Sequence, residues 1–383
     1  VTAEVGVTAP RGDALHAALT VEQCWQRVPG GSATYLLALL RALGERDDVT
    51  TIGLAAAHRS QPPADLRPPG PVRAAPLPRY LLYRAWAHLG VPRAEWSVPG
   101  ADVVHATTWA LPATRRPLVV TVHDVAFLRE PEHFTPRGVR FFTDALARTR
   151  DEAAAVVVPS EATAADCVAA GIERARVHVV PHGAPDWQVD RDAAAVSARA
   201  AGLPERYVLW CGTTEPRKNL EGLLAAFALV AHEDQDVHLV LAGPPGWGDT
   251  PRPPDGPWRD RVHQLGRLSD AELRRAYAAA SAFAFPSHWE GFGLPVLEAM
   301  TAGAPVVTSA GTSMAEVVGD AGVLVDPDDP ADIAAGLARA LGPQGAALGA
   351  AGRSRAAGYT WAASGEAHVV AYRAAAGRTA SSS

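Results

Sequence analysis

From about Leu15 onward, short runs of apolar and often β-branched residues alternate with longer stretches whose apolar positions recur at helical spacing. Strands buried on both faces read as continuous apolar runs, so this alternation predicts α/β units built around parallel sheets. In the first half the strands fall at residues 18–22, 51–56, 103–106, 118–122, 155–158 and 177–180, with helices such as 32–43 and 161–170 between them. A second series follows at 207–210, 237–241, 282–285, 305–309 and 322–325, separated by helices that include 220–230 and 270–280. Two such series in 383 residues make two doubly wound domains, each long enough to bury its own core. The expected division is a disordered lead-in over 1–14, a first domain over 15–187, a linker over 188–203 and a second domain over 204–360. The Pro-rich stretch 61–78 is too long for an ordinary connection and reads as a mobile surface loop.

Composition narrows the picture. A formal net charge of −6 argues against a broad nucleic-acid-binding surface. Cys24, Cys167 and Cys211 are far apart and form no CxxC pair, which favours a reducing cytosol over a disulfide framework or a zinc site. Neither a signal peptide nor a spanning helix is expected, because no 18-residue apolar run exists and the first residues carry acids. Lys218 is the single lysine among 35 basic residues. Coding bias accounts for the arginines, and the exception marks a place where a compact ammonium serves better than a guanidinium.

Four stretches carry candidate chemistry. In Phe285–Met300, FPSHWEGFGLPVLEAM, a strand runs through a Gly-rich turn into a helix starting near Leu294 and Pro295. The free N–H groups of Gly291, Phe292, Gly293 and Leu294 suit a phosphate or sugar hydroxyls. Glu290 lies in the turn and Glu298 one turn inside the helix, where its carboxylate could accept from a ribose diol. The plainer reading is acidic capping of a helix. In Cys211–Leu220, CGTTEPRKNL, Gly212 follows a strand, and Arg217 and Lys218 precede a helix where two cations could clamp a diphosphate. In Arg27–Tyr35, Gly30 and Gly31 join the first strand to a helix without the spacing of a dinucleotide or P-loop motif, so NAD and ATP readings lose ground. In Val119–Phe127, His123 and Asp124 end a buried strand, with Asp124 read as a cap for the following turn or as a group that orients His123. His105, Thr107, Thr108 and Trp109 are weaker candidates for lining an acceptor. Gly266 and Arg267 follow a short apolar run.

These stretches resemble the retaining glycosyltransferases of family 4, and the resemblance runs from about residue 15 to 376. It rests on Glu290 and Glu298 with seven residues between them and on the other motifs arriving in the family's order. It implies the GT-B architecture, two Rossmann-like doubly wound parallel-sheet domains facing a cleft, with a C-terminal helix over 361–377 crossing back to the first domain. It further implies that Glu290 contacts the donor hexose, Glu298 the ribose, Arg217 and Lys218 the phosphates, and His123 the reacting sugar. The backbone of Gly266 would face the nucleobase, and the Gly30–Gly31 loop the diphosphate and acceptor.

The expected activity is metal-independent, front-face transfer of a hexose from a nucleotide-diphosphate sugar, with no cofactor. The resemblance to bacterial mannosyltransferases of surface-glycan assembly makes GDP-mannose the first expectation and a UDP-sugar the alternative. Asp-x-Asp tripeptides at 190–192, 234–236 and 326–328 each have a local explanation. A catalytically silent GT-B subunit and a sugar-nucleotide epimerase are the competing readings. The acceptor is a glycan or a lipid-linked sugar, and the expected location is the cytoplasm. Arg73, Arg79, Arg84 and Arg93, interleaved with aromatic residues, fit either an anionic membrane surface or an ordinary amphipathic helix with an arginine rim.

Overall fold

The computed structural model describes residues 14–26, 30–246 and 256–378. The expected lead-in, apart from its last residue, and the first three residues of the Arg27–Tyr35 turn lie outside the described residues, as does the tail at 381–383.

Strands β1 (Leu15–Thr20), β2 (Val49–Ala55), β3 (Val72–Ala74), β4 (Val103–Ala106), β5 (Leu118–Thr121), β6 (Ala153–Val158) and β7 (Val177–Val179) form a seven-stranded sheet in the order β3-β2-β1-β4-β5-β6-β7. Strands β8 (Tyr207–Cys211), β9 (His238–Ala242), β10 (Val262–Gly266), β11 (Ala282–Phe285), β12 (Val306–Ser309) and β13 (Val323–Val325) form a six-stranded sheet in the order β10-β9-β8-β11-β12-β13. Neighbouring strands pair in parallel throughout both sheets. This is the GT-B arrangement. Chain direction across each sheet reverses once, between β1 and β4 and between β8 and β11. Loops leaving such a switch point diverge and open a crevice at the carboxyl ends of the strands.

Two apolar clusters cover the faces of the first sheet and one surrounds the second. The C-terminal helix Trp361–Ala375 contributes Val369, Ala371 and Tyr372 to the first domain's core. Buried polar contacts fix its register: His368 Nε2 lies 2.8 Å from the Tyr35 hydroxyl, and the Tyr372 hydroxyl 2.8 Å from His105 Nδ1.

One expectation changes. The Pro-rich stretch is not a structureless loop, because it supplies β3, the edge strand paired with β2. Its prolines conceal the strand, since an edge position tolerates residues that a central one rejects. The 188–203 connection forms a helix, Arg191–Ala200, capped by Asp190. It docks on the second domain through Arg191, whose guanidinium donates to the carbonyls of Ala280 and Ala302.

Candidate active site

The loops after β8 and β11 flank the second domain's switch point, and together they build a charged centre. After β8 the chain makes a 3-10 turn over Pro216–Lys218 and enters the helix Leu220–Glu233. Asn219 sits between them in the left-handed region at φ 51°, which asparagine tolerates better than most residues. Its Oδ1 accepts from Gly222 N to cap that helix, while Nδ2 donates to the carbonyls of Pro286 and Pro327. The two loops are thereby locked together, and the 2.8 Å bond from His288 N to Arg217 O repeats the tie.

Glu290 lies at the centre. Its Oε1 is 2.9 Å from Lys218 Nζ and 2.9 Å from Arg217 Nη1. Arg217 also pairs with Glu215 and donates to the Trp289 carbonyl. The Lys218 ammonium lies 4.8 Å from the Phe285 ring centre, over a nearly buried stem. Burial alone would raise the Glu290 carboxyl, but the Arg217 and Lys218 charges outweigh it and hold the group down at about 2. Burial likewise opposes the charged form of Arg217, and its acidic neighbours reverse that effect and keep it protonated. Among the described residues, none of the N–H groups from Gly291 to Leu294 has an acceptor. These orphan donors sit at the uncapped entry to the helix Leu294–Thr301, where the helix dipole adds to their pull on an anion.

Glu298, on the next turn of that helix, has different surroundings. It is half-buried beside the Cys211 thiol and the Tyr277 hydroxyl, and desolvation lifts its carboxyl to about 7 against the lowering influence of Tyr277. Gly212 and Gly266 follow the same strand-end pattern: Gly212 N donates to Ala242 O, and Gly243 N to Gly266 O, forming a backbone floor along β8, β9 and β10.

The first domain closes onto this centre. A Cβ on Gly291 would fall 1.7 Å from the His123 carbonyl oxygen, so only glycine permits the approach. The Gly291 carbonyl accepts from Ser160 Oγ at 2.7 Å and Thr163 Oγ1 at 3.2 Å. The Glu316 carboxylate accepts from the backbone of Glu161 and Ala162 at the start of the helix Glu161–Ala169. The Arg129 guanidinium stacks 3.8 Å over the Trp289 ring. Gly30 and Gly31 open the helix Gly30–Gly44, and Gly31 faces the Leu294 side chain across the cleft.

His123 Nε2 is 3.0 Å from the Thr107 carbonyl. A carbonyl only accepts, so Nε2 carries the proton. Burial lowers the pKa of this imidazole, leaving it neutral with Nδ1 as a bare acceptor. Asp124 caps the following turn by accepting from Ala126 N. His105 and Thr107 correct an expectation: both are fully buried, His105 bonding to Thr121 and Tyr372, and neither lines an acceptor. Trp109 packs against Phe127 and Phe142.

The structure thus brings Arg217, Lys218, Glu290 and the 291–294 turn into one cluster beside the His123 loop, with the half-buried Glu298 one turn further along the helix. Glu215, Trp289, Ser160 and Thr163 escaped the sequence reading: Trp289, Ser160 and Thr163 act through contacts between the domains, which leave no local periodicity, and Glu215 through its pair with Arg217. The Asp-x-Asp residues serve local roles: Asp190 caps a helix, Asp234 pairs with Arg206, and Asp326 accepts from Asp328 N just before Asp329 caps the next helix.

Two family models match in succession, Glycosyltransferase Family 4 over residues 29–186 and Glycosyl transferases group 1 over residues 205–342. The chain is 33% identical over 276 residues to O-antigen chain mannosyltransferase B of Escherichia coli, a match spanning 68% of this chain and 71% of that protein. It is 32% identical over 309 residues to a D-inositol 3-phosphate glycosyltransferase of Mycolicibacterium smegmatis, spanning 74% of this chain and 70% of that one. Among solved structures, Anabaena HepE in complex with UDP and glucose aligns with a TM-score of 0.70 at 19% identity, covering 93% of this chain and 98% of that one. With its two facing parallel sheets and these relatives, the chain belongs to the family 4 glycosyltransferases of GT-B fold, hexosyltransferases that draw on a nucleotide-sugar donor.

Proposed function

We propose that the protein transfers mannose from GDP-mannose to a glycan or lipid-linked acceptor, with retention of configuration and without a metal. The observation that carries this reading is the convergence of Arg217, Lys218 and the unpaired N–H groups of 291–294 on one spot, enough positive character to hold a diphosphate. Likeness to a mannosyltransferase supports the choice of sugar.

In this reading Glu290 accepts from hydroxyls of the donor hexose, His123 Nδ1 accepts from another, and Glu298 accepts from the ribose. The bond from the anomeric carbon to the departing phosphate oxygen breaks as the cations and helix N-terminus take up its charge. That oxygen then removes the acceptor's proton, and the acceptor oxygen bonds to the anomeric carbon on the same face. No protein base is required.

A thermal-shift panel of GDP-, UDP- and ADP-sugars tests the donor, since a ligand bound only by the native state raises its melting temperature. A shift with UDP-glucose and none with GDP-mannose would replace mannose by glucose. Transfer measured with excess EDTA tests the metal, and the expected rate is unchanged. Product anomericity by NMR tests retention. Tyr80 and Leu81 are exposed beside Arg79 and Arg84, which supports peripheral contact with an anionic membrane. Liposome flotation that does not depend on anionic lipid removes that part.

A further inference from the structure

A concave site lies in the first domain, away from the charged centre, and one residue of its lining, Arg79, also belongs to the surface proposed above for membrane contact. It is an open depression of about 690 Å³ lined by Trp25, Ala57, His58, Arg59, Ser60, Pro78 and Arg79. Trp25 and His58 stack with ring centres 4.4 Å apart and planes 6° from parallel, giving one flat wall. Trp25 Nε1 donates to the Ser60 carbonyl and fixes the ring. Beneath the wall, Glu22 is buried; its Oε2 accepts from Ala56 N, while its Oε1 lies 2.9 Å from His58 Nε2 without a hydrogen bond between them.

The opposite character comes from two arginines. Arg59 and Arg79 are both exposed, and neither has an ion-pair partner among the described residues. Arg79 is also the first residue of the helix Arg79–His88, which has no side-chain cap and no acidic residue in its first turn. A cation there sits against the positive end of the helix dipole, an arrangement that becomes favourable once an anion joins it.

The cavity is tied to the reaction centre. Its wall belongs to the 3-10 turn Glu22–Trp25, whose Gln23 Nε2 donates to Thr107 Oγ1 at 3.2 Å. Thr107 is the residue whose carbonyl orients His123.

We propose that this cavity binds a phosphate ester carried by the acceptor, with the ester between Arg59 and Arg79 and the adjoining ring against the Trp25–His58 wall. This rests on the transferase reading above, and it adds the chemical class of the acceptor.

The test is calorimetric titration of the full chain with glucose 6-phosphate and with glucose, the donor site being filled by saturating GDP, or by UDP if that nucleotide gives the larger thermal shift. Glucose 6-phosphate is expected to bind with an affinity that falls as salt rises, and glucose not to bind. In Arg59→Ala/Arg79→Ala the affinity for glucose 6-phosphate is expected to drop by roughly 10- to 100-fold for each lost charge-assisted contact, with nucleotide affinity and melting temperature unchanged. Co-sedimentation with phosphatidylcholine vesicles, with and without phosphatidic acid, separates the sources. Binding to phosphatidic acid but not to phosphatidylserine vesicles of matched surface charge assigns the ester to a lipid, since general contact with an anionic membrane would show with both, and binding to the soluble ester assigns it to a free sugar phosphate. The proposal is overturned if neither phosphate source is bound, if glucose binds as well as its phosphate, or if the double variant behaves as wild type. Failure of the transferase reading would look different, as loss of nucleotide binding in the unaltered chain.

Discussion

Replacing Glu290 by glutamine removes one charge from the centre while keeping its shape. The fall of this carboxyl from 4.5 to about 2 corresponds to roughly 3 kcal/mol of preference for the ionised form in the folded protein. A depressed carboxyl contributes stability that is present above its unfolded pKa of about 4.5 and is lost as pH falls through about 2. At pH 7 the wild type therefore holds all of that contribution, and Glu290→Gln loses most of it. The amide oxygen still accepts from Lys218, so the chain stays folded with a melting temperature lowered by a few degrees. Function divides in two. Arg217 and Lys218 no longer have a carboxylate to leave, so the nucleoside diphosphate binds at least as tightly as before. The carboxylate contact proposed for the donor sugar is gone, and at about 1.5–3 kcal/mol for a charge-assisted hydrogen bond the turnover is expected to drop roughly 10- to 100-fold. The assay pairs initial rates of nucleotide release during transfer with calorimetric nucleotide affinity. Turnover within threefold of wild type would refute the role, and so would parallel loss of turnover and nucleotide affinity, which would make Glu290 only a strut for the cations.

Three further outcomes follow from the same geometry. Lys218→Arg is expected to lower transfer at least tenfold although charge is kept, because the Lys218 Cδ would lie only 3.0 Å from a Cβ placed at Gly212 and the ammonium rests against Phe285; rates compared with Lys218→Ala check this, and full activity in the arginine variant would remove the steric argument. Glu298, raised to about 7, favours its neutral form, so its contribution to stability is present below about 4.5 and lost as pH rises through 7. If ribose hydroxyls donate to the carboxylate, nucleotide binding at pH 7 releases about half a proton, measurable by calorimetry in buffers of different ionisation heat and abolished in Glu298→Gln. Gly291→Ala forces the His123 carbonyl away and opens the joint between the domains, so transfer falls at least tenfold with nucleotide affinity retained, as rate and binding measurements on one preparation would show.

Much of this was legible in the chain. Continuous apolar runs such as those of β4, β5 and β11 are buried at every position, and their strands lie within a residue of where the pattern puts them. β3 and β10 were missed because edge strands need not be apolar on both faces. The clustering of Arg217, Lys218 and Glu290 was legible because all three lie on loops that follow strand ends, and strand ends are visible in sequence. His105 was misjudged for the same reason: it also ends a strand, but the C-terminal helix covers it with Tyr372, more than 250 residues away in the chain.

The sequence by itself determined the two α/β series, the strand-end motifs and the lone lysine, because periodicity and turn chemistry are local properties. Only the tertiary structure decided that the cations of one loop share an oxygen of Glu290 from another, and that equal carboxyls eight positions apart are driven in opposite directions. Charge proximity and burial set those pKa values, and both depend on which segments the fold brings together rather than on which residues stand next to each other.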